Sequence, residues 1–316
     1  MPAVPGRQTP THKPRTGSNF LLKVHVIQPH ERYGYPPMPY GPASFASVVM
    51  LALLLAGEIA NAGGPEPVEF RNEDIMLKAV VYRPEGAGPF PAVVAMHDCS
   101  GLTNASGAVA SKYREWAQLL VRDGFVVMFP ESYGSRGLGS QCTVRNRSIR
   151  PDRERVADAN ASRRWLDQQP DVRADHISLL GWSNGGSSVL WAVRPQHKPD
   201  DKPDFRSAVA LYPGCRRLDS TAWSARVPTL ILIGAADDVT PPQDCEHMVA
   251  GAKGRSARIS MMVYSGAFHD FDHPNRPPQV RTGYAVSADG SGRIHTGTNA
   301  AARADSLKRV PQWLAR

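Results

Sequence analysis

Gly181-Trp182-Ser183-Asn184-Gly185-Gly186 is the stretch on which the reading of this chain turns. It follows the apolar run His176-Ile177-Ser178-Leu179-Leu180 and precedes Ser187-Ser188-Val189-Leu190-Trp191-Ala192-Val193, a run suited to a helix. A strand, a Gly-x-Ser-x-Gly turn and a helix in that order form a nucleophile elbow. The residue types have a physical reason. The turn is tight enough to strain the serine backbone, and only small neighbours fit on either side. It lifts the hydroxyl above the strand ends. The following helix then aims its free N–H groups and the positive end of its dipole at any anion forming there. A strand-to-helix turn without chemistry carries the same short pattern. The rest of the chain must therefore supply a base, an acid and donors for an oxyanion.

Outward from the elbow, strand and helix signals alternate. Pro91–Met96, Phe125–Phe129, Ser207–Tyr212, Thr229–Ile233 and Ile259–Tyr264 are continuous apolar runs, the mark of strands buried on both faces. Between them, 109–123, 153–169 and 242–252 have helical spacing, and 299–315 closes the chain as a helix. Tyr113, Trp116, Ala117, Leu119 and Leu120 share one face of the first helix, and Gly124 stops it. Val156, Ala159, Ala161, Trp165 and Leu166 form the expected inner face of the second. Ahead of all this, Glu69–Arg71 and Leu77–Tyr82 read as an antiparallel pair around a turn at 72–74. Two stretches, 130–150 and 274–297, read as long loops. Such alternation predicts an α/β fold with a mostly parallel central sheet and helices on both faces.

In open sheets of this kind ligands bind beyond the carboxyl ends of the strands. His97-Asp98-Cys99, Glu131, Ser183, Asp237 and His269 all fall at such ends. A serine hydroxyl is a poor nucleophile until a base lies within reach and a third group orients that base. The order Ser183, Asp237, His269 is the order of the α/β-hydrolase fold. Asp238 and His273 are the rivals for acid and base. The expected oxyanion donors are the backbone N–H groups of Asn184, after the serine, and Cys99, after the preceding strand. His97 reads as a side chain that braces its loop. Arg136, Arg281 and Arg293 lie in loops expected near the pocket, either as ligands of a substrate carboxylate or as solvated surface groups.

The 316 residues are 41% hydrophobic and 21% charged, which suits one large globular domain or two small ones. Of the net charge of +8, residues 1–62 hold +3 and the remainder +5, without blocks. No basic stripe interleaved with aromatics is present, which argues against a nucleic-acid partner. Residues 1–42 are rich in Pro, Gly and Tyr and read as an unstructured or over-extended start. The apolar run at 43–56 is short for a membrane span and leads to Ala60-Asn61-Ala62, an A-x-A pattern. The expectation is a signal peptide cut after Ala62, a periplasmic or secreted protein, and a single domain over 63–316. An uncleaved anchor or a buried helix is the alternative.

The elbow, the His97-Asp98-Cys99-Ser100-Gly101-Leu102 loop, the Gly234-Ala-Ala-Asp237-Asp238-Val-Thr-Pro241-Pro242 turn and the Gly266-Ala-Phe-His269-Asp-Phe-Asp272 end together resemble the dienelactone hydrolase family. The resemblance covers about 67–316. It implies a single α/β-hydrolase domain that cleaves esters or lactones without metal or organic cofactor. The namesake enzymes use cysteine as nucleophile where this chain has Ser183, which implies a serine esterase branch. On such a sheet Cys215 and Cys245 follow neighbouring strands, and Cys99 and Cys142 lie in loops after two others. Those pairs are the expected disulfides, against four separate thiols. A peptidase, an acyltransferase or a catalytically silent binding protein on the same fold are the competing readings.

Overall fold

The structure is a computed structural model that describes residues 64–199 and 203–316. The segment 1–62, read above as a leader, lies outside the described residues. An eight-stranded sheet organises the rest, in the order β1-β2-β4-β3-β5-β6-β7-β8. β1 (Glu66–Asn72) and β2 (Ile75–Tyr82) form the expected antiparallel pair, and β2 lies antiparallel to β4 (Val126–Pro130). From β4 onward every pairing is parallel: β3 (Phe90–Met96), β5 (Val172–Trp182), β6 (Ala208–Leu211), β7 (Thr229–Gly234) and β8 (Ile259–Tyr264). β4, β6 and β7 are buried throughout, as apolar runs between two helical layers must be. β8 is half-buried along its length, because it is the edge.

Among the described residues six α-helices accompany the sheet: α1 (Ser111–Arg122), α2 (Glu154–Asp167), α3 (Asn184–Ala192), α4 (Arg216–Asp219), α5 (Pro242–Gly251) and α6 (Ala300–Leu314). α1 touches α6 and α2 touches α3, and each pair also lies against the strands. The chain runs from β3 outward to β4 and then returns to place β5 on β3's other side. That reversal opens a crevice at the strand ends between β3 and β5. Register keeps the ends level, with Met96 opposite Gly181, Trp182 opposite Leu211 and Gly234 opposite Tyr264. The loops that carry Asp98, Ser183, Asp237 and His269 therefore emerge side by side.

One expectation needs correction and two need extension. The segment 274–297 is not a plain loop: β9 (Gln279–Arg281) and β10 (Ile294–Thr296) form an antiparallel hairpin. Three-residue strands leave no usable alternation, which is why the pattern hid them. The stretch 130–150 is a loop as expected, but it is packed inward in part: Ser132, Tyr133, Cys142 and Ile149 are buried and Gly134–Arg136 makes a 3-10 turn. Finally, α2 buries Val156, Ala159, Ala161 and Leu166 as expected, but also Arg155, Asp158 and Arg163.

Candidate active site

Ser183 sits at the end of β5 with φ 51° and ψ −114°, in a region that L-residues avoid. Close packing enforces the turn. A Cβ on Gly181 would stand 2.4 Å from the Gly185 carbonyl oxygen, and one on Gly185 would stand 2.0 Å from that of Met96. The glycines let the elbow press directly on the end of β3. Ser183 as a residue is 8% exposed.

His269 Nε2 lies 2.8 Å from Ser183 Oγ, and His269 Nδ1 lies 2.7 Å from Asp237 Oδ2. Asp237 is fixed in turn. Its Oδ1 accepts from the N–H groups of Val239 and Thr240 at 2.9 and 2.8 Å, and its Oδ2 accepts from Thr240 Oγ1 at 3.0 Å. Burial disfavours the His269 imidazolium, yet the charge and hydrogen bond of Asp237, with help from Asp270, override it and raise the pKa. The rivals stand elsewhere. Asp238 binds His295 Nδ1 at 2.7 Å and also accepts from the His295 N–H, so it anchors the β9–β10 segment. His273 Nδ1 accepts from the N–H of Asn275 within its own loop.

Asn184 opens α3, so its N–H is one of the donors a helix cannot use internally. Cys99 and Asn184 line the same cavity as Ser183 and His269. The loop that carries Cys99 is held from several sides. His97, fully buried, donates from Nδ1 to the Asp98 carbonyl at 2.8 Å and accepts from the Ser132 N–H at Nε2 at 3.2 Å. Burial, with the charge of Arg155, pushes its pKa down to about 4, so the ring is neutral. Arg155 donates to the His97 carbonyl and to Asn184 Oδ1, both at 2.7 Å, and so ties this loop to the elbow. Lys112 Nζ reaches Asp98 Oδ2 at 2.8 Å. The sulfurs of Cys99 and Cys142 stand 2.01 Å apart, at bonding distance, as do those of Cys215 and Cys245.

The cavity measures about 150 Å³. An adjoining cavity of about 250 Å³ shares Ser187, Gly214, Val239, Thr240 and Val286 with it and adds Trp191, Pro151 and Pro241. The β9–β10 segment closes one side: the Ala285 N–H donates to the Cys142 carbonyl at 2.9 Å, and the Ala288 N–H to that of Asp238 at 2.6 Å. Arg281 lines the cavity and stacks over Tyr284, with 5.4 Å from guanidinium to ring. Arg136 does not border it; its guanidinium grips the buried Asp158 through both nitrogens at 2.9 and 2.8 Å. Arg293 is an exposed residue outside the lining. Two lining arginines escaped sequence reasoning, Arg147 and Arg276. Arg276 pairs with Asp270, whereas Arg147 donates to the Gln141 and Val144 carbonyls. Among the described residues no group of three His, Cys, Asp or Glu side chains is placed to hold a metal ion.

Fold and site together define an α/β-hydrolase. The model of the dienelactone hydrolase family matches residues 77–316, and the chain belongs to that family. A Yersinia pestis protein provisionally named a carboxymethylenebutenolidase is 23% identical, over 64% of this chain and 76% of its own length. A Bradyrhizobium protein provisionally named a 2-oxo-3-(5-oxofuran-2-ylidene)propanoate lactonase is 25% identical, over 61% and 78%. Among solved structures, a dienelactone hydrolase-like promiscuous phosphotriesterase, P91, from metagenomic libraries superposes with a TM-score of 0.62 at 16% identity, over 81% of this chain and 98% of that one.

Proposed function

We propose that this chain is a serine hydrolase that cleaves a carboxylic ester or opens a lactone through an acyl-enzyme. The observation that carries the reading is the hydrogen-bonded series Ser183 Oγ, His269, Asp237, with links of 2.8 and 2.7 Å. Ser183 Oγ attacks the carbonyl while His269 Nε2 takes its proton. Asp237 orients the ring and stabilises the imidazolium that forms. The N–H groups of Cys99 and Asn184 receive the developing oxyanion, each such donor being worth roughly 3 kcal/mol in the transition state. His269 then returns the proton to the leaving oxygen, and the reverse sequence with water frees the acid. For a lactone the leaving oxygen stays tethered, and one product results.

The names of two relatives, a carboxymethylenebutenolidase and a lactonase, support a lactone or ester as substrate. Arg147 and Arg281 line the cavity with no carboxylate partner among the described residues, which favours a substrate that brings its own acid group. Cysteines paired at bonding distance favour an oxidising compartment, in keeping with export and cleavage after Ala62. Among the described residues no helix is long and apolar enough to cross a membrane. The deciding experiment is Ser183→Ala with p-nitrophenyl acetate and a fluorophosphonate probe. Loss of turnover and of covalent labelling is expected; a variant that still turns over substrate would refute the assignment. Mass spectrometry of the exported form tests the cleavage site.

A further inference from the structure

Lys112, in the first turn of α1, takes no part in the series just described, yet it is only 4% exposed. An ammonium taken out of water is strongly unfavourable unless its three protons find partners. Here they do. Nζ donates to Asp98 Oδ2 at 2.8 Å, to Asp270 Oδ1 at 2.7 Å and to the Tyr212 hydroxyl at 3.3 Å. These partners come from three separate strand ends. Asp98 precedes Cys99 in the loop after β3. Asp270 follows His269 in the loop after β8. Tyr212 follows β6, and its ring stands edge-on to that of His269, 4.6 Å between centroids.

The far side of each partner is also tied. Asp98 Oδ1 accepts from the Ser100 N–H at 2.7 Å, so the carboxylate held by Lys112 spans the peptide that carries the Cys99 N–H. Tyr212 OH binds Asp272 Oδ1 at 2.6 Å, while Asp272 Oδ2 accepts from Trp116 and Trp182 at 2.7 and 2.9 Å. One buried cation thus joins the loop of an oxyanion donor to the loop of the general base. We propose that Lys112 is a positioning residue: it holds the Asp98–Cys99 and His269–Asp270 loops in register and screens His269 from the carboxylates of Asp98, Asp270 and Asp272. This rests on the reading of Ser183 as nucleophile.

The groups facing this cluster set the signs of the test. His269 faces Asp237 and Asp270, which favour its protonated form, and Lys112, which opposes it. Lys112 faces Asp98, Asp270, Asp272, Tyr113 and Tyr212. Arg276 pairs with the second oxygen of Asp270, and His273 lies in the field of Asp270 and Asp272. Removing the ammonium therefore raises the pKa of His269, and removing the Asp270 charge lowers it.

The test compares Lys112→Met, Lys112→Arg and Asp270→Asn with the native chain. The readouts are kcat and KM for p-nitrophenyl acetate between pH 5 and 9, with active sites counted by a fluorophosphonate. Lys112→Met is expected to lose about tenfold or more in kcat at little cost in KM, because the loops lose their register. Its acid limb in kcat/KM moves to higher pH by about half a unit or more. Asp270→Asn moves that limb to lower pH. Lys112→Arg keeps the charge, so its limb stays at the native position while kcat falls. Should Lys112→Met not fold, the Arg and Asn variants carry the test. A Lys112→Met enzyme with native kcat overturns the proposal, and so does a set of variants that all lose activity with unmoved limbs. Either outcome is distinct from failure of the serine assignment, in which the native chain itself would not label.

Discussion

Gly185→Ala measures how closely the elbow must press on the Asp98–Cys99 loop. Gly185 is the second residue of α3, and an added Cβ would meet the Met96 carbonyl oxygen at 2.0 Å, the Met96 carbonyl carbon at 2.6 Å and the His97 carbonyl oxygen at 2.5 Å. Ordinary non-bonded contact begins at about 3.5 Å. All three atoms are backbone at the end of β3, so no side chain can swing aside. The elbow and the Asp98–Cys99 loop must separate by more than about 1 Å, and displacements of that size cost roughly 100-fold in rate. Stability responds less. Overpacking costs about 1–3 kcal/mol, and alanine recovers up to about 1 kcal/mol of helix propensity over glycine. The variant should therefore unfold in urea only slightly earlier than the native chain while kcat/KM for p-nitrophenyl acetate collapses. Gly251→Ala is the control, because nothing lies within 4 Å of its added Cβ. A Gly185→Ala enzyme within about threefold of native activity would show that the contact between elbow and loop does not set the rate, and the reasoning would fail.

Other consequences follow from the same geometry. Replacing both Cys99 and Cys142 by alanine opens a link with a sequence separation of 43 residues, for which the chain-entropy model gives about 4 kcal/mol. Urea unfolding should show that loss at its upper bound, with a fall in kcat as the Cys99 loop loosens. The Cys215/Cys245 double variant should lose similar stability and keep more of its kcat. His97, held at about 4 by burial against 6.5 unfolded, makes the unfolded chain bind the extra proton between those values. Stability is thus fully present above pH 6.5 and declines by up to about 3 kcal/mol on the way down to pH 4. Urea titrations across that window should show a shallower slope in His97→Gln, and an equal slope would sink the assignment. Arg281→Ala should raise KM for esters that carry a carboxylate by about tenfold and leave neutral esters alone, a contrast that paired steady-state assays read directly.

The parallel sheet was legible because its interior strands are continuous apolar runs, and the meeting of Ser183, Asp237 and His269 was legible because each lies just beyond the end of such a run. What stayed hidden is of one kind. Lys112 and Arg155 lie in helices, in the runs Ser111-Lys112-Tyr113 and Arg153-Glu154-Arg155, where a charge ordinarily marks the solvated face. Periodicity reports where apolar side chains go and is silent on charges that are buried because they are paired. Arg136 was misplaced for the same reason: its partner Asp158 is a fully buried charge that no apolar pattern announces. The β9–β10 hairpin was missed because its strands are three residues long and its anchors are mostly backbone and polar bonds, to Asp238 and the Cys142 carbonyl, which leave no apolar pattern.

The hidden charges are tied to the backbone strain of the site. Ser183, Tyr212 and Asp270 all have positive φ, at 51°, 38° and 62°. Such conformations persist only where the surroundings over-determine them. Arg155 grips the side chain of Asn184, the neighbour of Ser183, and Lys112 grips Tyr212 and Asp270 themselves. Each strained residue, or the one beside it, is thus held by a buried cation whose other bonds reach the Cys99 loop. The strained backbone and the buried charge are two parts of one arrangement. A short motif such as Gly-Trp-Ser-Asn-Gly-Gly displays the first part, because small residues are the steric condition for the turn. The second part has no local condition at all, since any helix that passes behind the site with a lysine or arginine at the right height can supply it.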